Sequence, residues 1–306
     1  MKIPKNTAKM EKLIEFYING PAYLRVSGTT QKDYYRNLYI AAGTVVASNR
    51  KLGNVRICDL TVGMLNVGYE KWVANNGIRQ ANYIKSCLSI AWRHGMKYDI
   101  MTHNPVSLVE TLPTKQRKVR WTREQIKTFL DVAYSKYEYF NLGLVVHMAY
   151  DWGQRVGDMR MLTWASLDLD SCQIDLTQSK RNADVHLPIS KGLCRILHNQ
   201  KDQLGFQEYV APKVSLDRGI VRPYLINEIS PNINKILDEA NLPKHLTAMD
   251  LRRTCVTEMS AAGVDTVSMM NVTGHRNPAS LKPYLVNTVE GAAKALSARG
   301  NDDEYS

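Results

Sequence analysis

Apolar residues recur at helical spacing through nearly the whole chain, and one short block breaks that rule. Leu13, Ile14, Phe16 and Tyr17 form one stripe, and Tyr34, Tyr35, Leu38 and Tyr39 form a second, with Thr29 and Thr30 before it as candidate N-caps. Asp59-Leu60-Thr61 opens a further short helix. Asn82 to Trp92 sets Tyr83, Ile84, Cys87, Leu88 and Ala91 on one buried face, and Asn104-Pro105 ends this region because proline disfavours helix at the residue before it. A new helical region starts at Thr122-Arg123-Glu124-Gln125, a capping-box pattern ahead of Ile126, Phe129 and Leu130. From Leu142 to Leu162 the spacing is again helical, with Gly153 predicting a break where backbone comes close to a neighbour. Only Leu167 to Leu169, Cys172 to Leu176 and Val185 to Ile189 alternate as strands do, the last two joined by the polar turn Gln178 to Asp184. A second capping box, Thr247 to Asp250, opens a helix through Arg252 and Val256. The expected fold is mainly α with a small β-sheet. It comprises an all-helical domain over 1–112, a connector over 113–120, and a mostly helical domain with the sheet over 121–306, which suits the two domains that 306 residues suggest.

The charge follows the same division. Residues 1–120 hold 19 Lys and Arg against 7 Asp and Glu, whereas the remaining 186 are nearly balanced, so the first part and connector carry the whole net charge of +11. Such asymmetry points to a polyanion, nucleic acid before a membrane surface, because no basic amphipathic helix has an aromatic or leucine-rich face. No run of about 18 apolar residues occurs to cross a membrane. Met1-Lys-Ile-Pro-Lys-Asn-Thr7 lacks the apolar core of a signal peptide, and little sequence precedes the first stripe to form a separate arm-binding domain. Five scattered cysteines, odd in number and never spaced C-x-x-C, are expected as buried thiols of a reducing compartment, neither disulfides nor a zinc site. Lys115, Arg117, Lys118 and Arg120 in the connector are expected to track phosphates, and Lys32, Arg36, Gln80 and Lys85 are candidates for groove contacts.

Three polar clusters stand out in the second domain: Gly153-Gln-Arg155-Val-Gly157-Asp158, Asp250-Leu-Arg252-Arg253-Thr254 and Gly274-His275-Arg276, with Tyr284 nine residues after His275 and Lys180 alone in the strand turn. Each is weak singly. Their order and spacing resemble the tyrosine recombinase family, the phage integrases and their relatives, over almost the whole chain. Gly153 to Asp158 resembles the G-x-R-x-x-E/D box, with the first catalytic arginine at Arg155 and a buttressing acid at Asp158. Thr177-Gln-Ser-Lys180 resembles the hairpin of the catalytic lysine, Leu246 to Thr254 the L-T-x-H-D-L-R-R-T box with the second arginine at Arg252, and Val272-Thr-Gly-His275 the L-G-H box. The nucleophile would then be Tyr284. The helical first domain resembles the family's core-binding domain and the second its α+β catalytic domain.

The resemblance implies a site-specific recombinase that cuts and rejoins DNA through a 3′-phosphotyrosine, integrating or excising a phage or mobile element, with neither ATP, metal nor other cofactor. It implies double-stranded attachment sites as partner, a homotetramer on synapsed DNA assembled through the segment after the tyrosine, and a cytoplasmic setting, the bacterial nucleoid or an infected cell. An accessory DNA-bending or directionality protein is compatible with it. One position departs: Met249 stands where the family usually has histidine, and a thioether donates no hydrogen bond. That departure keeps a catalytically weakened DNA-binding relative open as an alternative. A type IB topoisomerase shares the catalytic core but not the first domain, and an RNA-binding protein lacks its expected motifs here.

Overall fold

A computed structural model describes residues 8–47, 49–180, 182–215 and 219–285, together with 292–293 and 296–297. The chain divides into two compact units, Met1–Arg117 and Lys118–Ser306. The first contains α1 (Met10–Ile18), α2 (Pro21–Leu24), α3 (Gly28–Gly43), α4 (Val62–Asn76) and α5 (Ile78–Met96). Its core gathers Leu13, Ile14, Tyr17, Leu38, Trp72, Ile84, Leu88 and Trp92. The apolar stripes of the sequence therefore do meet in one core, and burying each large side chain contributes about 1.5–3 kcal/mol.

Local details differ from expectation in instructive ways. Ser27, not Thr29 or Thr30, caps α3, its hydroxyl accepting from the Thr30 amide at 3.4 Å. Thr61 caps α4 by accepting from Met64 N at 3.2 Å, and the helix it opens is long, 15 residues. The unit is also not wholly helical: β1 (Val45–Ala47) and β2 (Arg50–Lys51) pair antiparallel around Asn49, whose φ of 59° is a left-handed turn conformation. Val45-Val46-Ala47 and Arg50-Lys51 carry no apolar–polar alternation that would mark them in sequence.

The second unit begins along an extended segment and continues through α6 (Arg123–Ser135), α7 (Tyr137–Asp151) and the one-turn α8 (Val156–Met159). The sheet β3 (Leu167–Asp168), β4 (Gln173–Thr177), β5 (Asp184–Pro188) follows in simple antiparallel order. Next come α9 (Lys191–Leu204), a hairpin of β6 (Lys213–Ser215) and β7 (Ile220–Arg222), then α10 (Ile226–Glu239), α11 (Ala248–Ala261) and α12 (Thr266–Thr273). Helix α7 runs through the centre of the core, with Leu142, Leu144, Val145, Met148 and Ala149 all buried. Both predicted capping boxes are formed, at Thr122–Gln125 and Thr247–Asp250. Trp121 ties the entry of the unit to α11, its amide donating to Thr254 Oγ1 at 2.9 Å and its indole to the Thr247 carbonyl at 3.0 Å.

The cysteine expectation needs correction. Cys172 and Cys194 are paired as a disulfide, their Cα atoms 6.2 Å apart, within the ordinary span of such a bridge. The β3–β4 turn holds Cys172 at a φ of 51° beside the first turn of α9, a juxtaposition that the 22-residue spacing did not announce. Cys58 is exposed, and only Cys87 and Cys255 are buried thiols. Among the described residues no helix is long and apolar enough to cross a membrane.

Glu228 locks the β6–β7 hairpin to α10. Its carboxylate accepts from Lys213 Nζ at 2.7 Å, from Arg222 Nη1 and Nη2 at 2.9 Å each, and from Leu225 N at 2.8 Å. Hydrogen bonding from Arg222, reinforced by Lys213 and opposed by burial, holds its pKa far below the usual carboxylate range. Glu228→Gln should lower the stability of this unit by about 1–3 kcal/mol in urea unfolding at pH 7. The folded-state pKa is depressed, so the stabilisation is present above the unfolded value, about 4.3, and fades as pH falls towards the folded one. The gap between the two proteins should narrow below about pH 4; a constant gap would mean lost packing instead.

Candidate active site

The chain breaks out of α7 at Gly153, where φ is +59°. A Cβ there would meet Cys255 Sγ at 2.9 Å, so α7 and α11 approach this closely only because the residue is glycine. The break turns Arg155 out at the mouth of α8, half-buried. Its Nη1 donates to Gln178 Oε1 at 2.9 Å and lies 3.6 Å from Asp158 Oδ2. Asp158 is buried, and its other oxygen accepts from the Ser179 amide at 3.2 Å and from the Ser179 hydroxyl. Asp158 thus joins the arginine to the β4–β5 turn. Lys180 follows Ser179 in that turn, exposed to solvent.

Arg252 projects from the second turn of α11. Its Nη1 donates to the Gly153 carbonyl at 3.2 Å and its Nη2 to the Thr273 carbonyl at 2.6 Å. Nη2 also lies 3.4 Å from His275 Nδ1 and 3.3 Å from Nε2, so the guanidinium stands over the ring face. Burial, followed by the like charge of Arg155, lowers the Arg252 pKa to about 10, with Asp158 and Tyr284 pulling the other way. It still carries its charge at neutral pH.

His275 is set by the end of α12. Gly274, left-handed at a φ of +63°, terminates that helix, and the histidine follows it half-buried. Thr273 Oγ1 donates to the Met269 carbonyl at 2.6 Å and lies 2.6 Å from His275 Nδ1. A hydroxyl has one proton, and a carbonyl can only accept, so the threonine must accept from Nδ1–H. That places a proton on Nδ1, so that in the neutral ring the lone pair sits on Nε2.

Tyr284 ends the short turn Lys282–Tyr284 and is half-buried against Val256, Met269 and Leu281. Arg253 lies over its ring at 5.7 Å from the centroid and is itself 3.6 Å from Asp250, the acid of the α11 capping box. Met249 occupies the second position of α11 and is 87% exposed. Arg155, Arg252 and His275 are therefore linked through shared partners, Tyr284 is near enough to influence Arg252, Lys180 stands on the adjoining turn, and Met249 faces solvent. A cleft of about 780 Å³ opens between the β4–β5 hairpin and α12, lined by His186, Asn271, His275 and Arg276.

In the first unit Lys32 and Arg36 are exposed one turn apart on α3, and Lys85 is half-buried on α5. The two helices are joined by a Gln80–Asn37 hydrogen bond and by Tyr34 against Tyr83, ring centroids 6.3 Å apart. Gln80, expected as a groove contact, thus commits its amide nitrogen to Asn37. Lys115, Lys118 and Arg120 are exposed along the connector and Arg117 is half-buried. The segment after the tyrosine, expected to assemble the tetramer, lies outside the described residues beyond 285, apart from 292, 293, 296 and 297, which are helical. Gln154, Gln178 and Thr273 hold these groups together, and nothing in the sequence marks them for it, because buried and surface glutamines look alike in a polar stretch.

The sequence model of the phage integrase family matches residues 120–290. The integrase of Escherichia phage HK022 is 25% identical over 149 residues, 49% of this chain and 41% of that protein, so the chain spans less than half of this curated relative. Among solved structures, a lambda integrase dimer bound to a COC′ core site superposes with a TM-score of 0.73 at 19% identity, covering 91% of this chain and 77% of that one. A Tn1549 transposon integrase in complex with transposon right end DNA gives a TM-score of 0.74 at 16% identity, covering 95% and 99%. These likenesses extend the shared fold over both units.

Proposed function

The chain belongs to the phage integrase family, and from that membership and the site geometry we propose that it is a site-specific DNA recombinase working through a tyrosine nucleophile. The observation that carries the reading is the convergence of Arg155 and Arg252 on one spot beside His275, each fixed by hydrogen bonds and near enough for Arg155 to depress the Arg252 pKa. Two guanidiniums held against their mutual repulsion form a site for an anion, and their planar forks suit a phosphodiester.

The Tyr284 oxygen attacks phosphorus as the P–O5′ bond breaks, leaving a 3′-phosphotyrosine and a free 5′-hydroxyl. A phenol, with a reference pKa of about 10, is a poor nucleophile near neutral pH and needs a base. His275 Nε2 takes its proton. Lys180 returns one to the departing 5′-oxygen. Arg155 and Arg252 stabilise the charge on the non-bridging oxygens, typically the largest catalytic contribution. The reverse reaction reseals the strand with the bond energy kept in the phosphotyrosine, so no ATP is consumed, and the arginines do the work a metal does elsewhere.

Around this chemistry, residues 1–112 and the basic connector 113–120 grip duplex attachment sites, with Lys32, Arg36, Lys85, Lys115, Arg117, Lys118 and Arg120 meeting phosphates and groove edges. Four copies assemble on synapsed DNA in the bacterial nucleoid or an infected cell, with an accessory protein setting direction. A lambda integrase has been solved as a tetramer bound to a Holliday junction, which supports that assembly. The test is incubation with nicked duplex carrying an attachment site, followed by SDS. A protein–DNA adduct whose peptide maps to Tyr284 supports the reading, and absence of any adduct on cognate DNA ends it.

Met249 adjusts the expected rate. It stands one turn before Arg252 on α11 with its thioether 87% exposed, so exchanging it disturbs little packing. Met249→His supplies a donor towards the phosphate and should speed single-turnover cleavage about tenfold, equivalent to about 1.4 kcal/mol. An unchanged or slower rate would mean that the missing donor is already compensated.

A further inference from the structure

Two glutamines, Gln154 and Gln178, are buried to 1% and 0% exposure at the centre of the site, and their amides form a directional ladder. Gln178 Nε2 donates to Gln154 Oε1 at 2.6 Å and to the Thr273 carbonyl at 2.8 Å, while Gln178 Oε1 accepts from Arg155 Nη1 at 2.9 Å. Gln154 Nε2 donates to the carbonyls of Trp152 at 2.8 Å and Val272 at 2.7 Å. The orientation follows from chemistry. Arginine only donates, so the oxygen of Gln178 must face it and its nitrogen must face Thr273. The oxygen of Gln154 must then meet that nitrogen, which leaves its own nitrogen for the two carbonyls. Flipping either amide sets donor against donor.

The ladder joins the segments that bear the proposed chemistry. Gln154 precedes Arg155. Thr273, whose carbonyl also accepts from Arg252, precedes Gly274 and His275. Gln178 begins the turn carrying Lys180, which it closes by donating its amide to the Ala183 carbonyl and accepting from Asn182 N, both at 2.9 Å. A Cβ on Gly274 would come 2.6 Å from Gln178 Nε2, so the glycine of this motif is also the space into which the amide fits. Arg276 adds a bond at 2.7 Å to the Asn182 carbonyl on the same turn.

We propose that Gln178, keyed by Gln154, is a positioning residue that fixes the Lys180 turn against Arg155 and the His275 loop, and so sets where the lysine meets the leaving oxygen. The proposal rests on the recombinase reading above. Gln178 is fully buried and acts on the reaction only through its neighbours, the Lys180 turn above all and Arg155 beside it. A surface turn without this anchor would let the ammonium sample many positions, and a misplacement of about 1 Å can cost about a hundredfold in rate.

The experiment is a double-mutant cycle in single-turnover cleavage of nicked attachment-site DNA by the full chain. Gln178→Met keeps most of the volume and removes the amide. It should slow cleavage about 30- to 100-fold, with DNA affinity close to wild type and a lowered melting temperature, since the buried Gln154 Oε1 loses its donor. Combined with Lys180→Ala it should slow the reaction by much less than the product of the two single losses, because most of its effect passes through the lysine. Multiplying losses, or a Gln178→Met protein that cleaves at the wild-type rate, would overturn the proposal. If Gln178→Met does not fold, Gln154→Met tests the same cycle from the other end of the ladder. DNA with sulfur replacing the 5′-bridging oxygen separates the two levels, since a thiolate departs without a proton. Recovery of Lys180→Ala on that substrate supports its role as acid. Failure to recover removes that role, while the cycle still decides whether Gln178 works through the lysine.

Discussion

Tyr284→Phe should form no SDS-resistant adduct with attachment-site DNA and should still bind and fold as the wild type does. The substitution removes one oxygen. The ring keeps its contacts with Val256, Met269 and Leu281 and its place under the Arg253 guanidinium, whose attraction is to the aromatic face rather than the hydroxyl. Stability should therefore change by no more than about 0.5 kcal/mol. Binding should be unchanged in a gel shift, because the proposed grip on DNA is spread over the basic first unit and connector. That combination, full binding and no covalent product, separates a missing nucleophile from a misfolded site. An adduct that persists in the phenylalanine variant would move the nucleophile to another residue. Loss of binding alongside the adduct would mean that Tyr284 holds DNA rather than attacking it.

The residues that cluster in the second unit were more legible in the sequence than the scaffold that holds them. Arg155, Arg252, His275 and Tyr284 could be singled out because order and spacing along a chain survive where individual residues are ambiguous. Gly153 was legible as a close approach for the same kind of reason, since an isolated glycine in a helical pattern has few explanations, and Cys255 proved to be its neighbour. The strands β4 and β5 announced themselves by alternation. The two-residue β3 was legible too, through the Leu167-Asp168-Leu169 repeat, whereas β1, β2, β6 and β7 carry no such apolar–polar–apolar repeat. Gln154 and Gln178 were invisible as structural residues: nothing in a polar turn distinguishes an amide that faces water from one that faces Arg155. The disulfide between Cys172 and Cys194 was missed because the spacing of cysteines says nothing about which turn faces which helix.

Arg252→Lys, the mildest change of charge that could be made, should still lower single-turnover cleavage by about 10²- to 10³-fold. The reason lies in how the guanidinium is held. Nη1 and Nη2 are directed to two different carbonyls, Gly153 at 3.2 Å and Thr273 at 2.6 Å, and the plane rests on the His275 ring. A planar fork meets both carbonyls and presents further N–H groups to a phosphate, whereas a single ammonium on a shorter stem must choose. Burial adds a second penalty with a pH signature. Desolvation and the neighbouring Arg155 bring Arg252 from an ordinary 12.5 to about 10, which leaves it charged throughout the physiological range. The same environment acting on a lysine, whose reference value of about 10.4 is already lower, would bring it well below that value. The residual activity of the lysine variant should accordingly fall as pH rises through the mildly alkaline range, while wild-type cleavage shows no such fall there. A lysine variant with a parallel pH profile and a loss smaller than about tenfold would place Arg252 outside the group that stabilises the transition state. It would leave the arginine as a structural tie between α11 and the loops bearing Gly153 and Thr273.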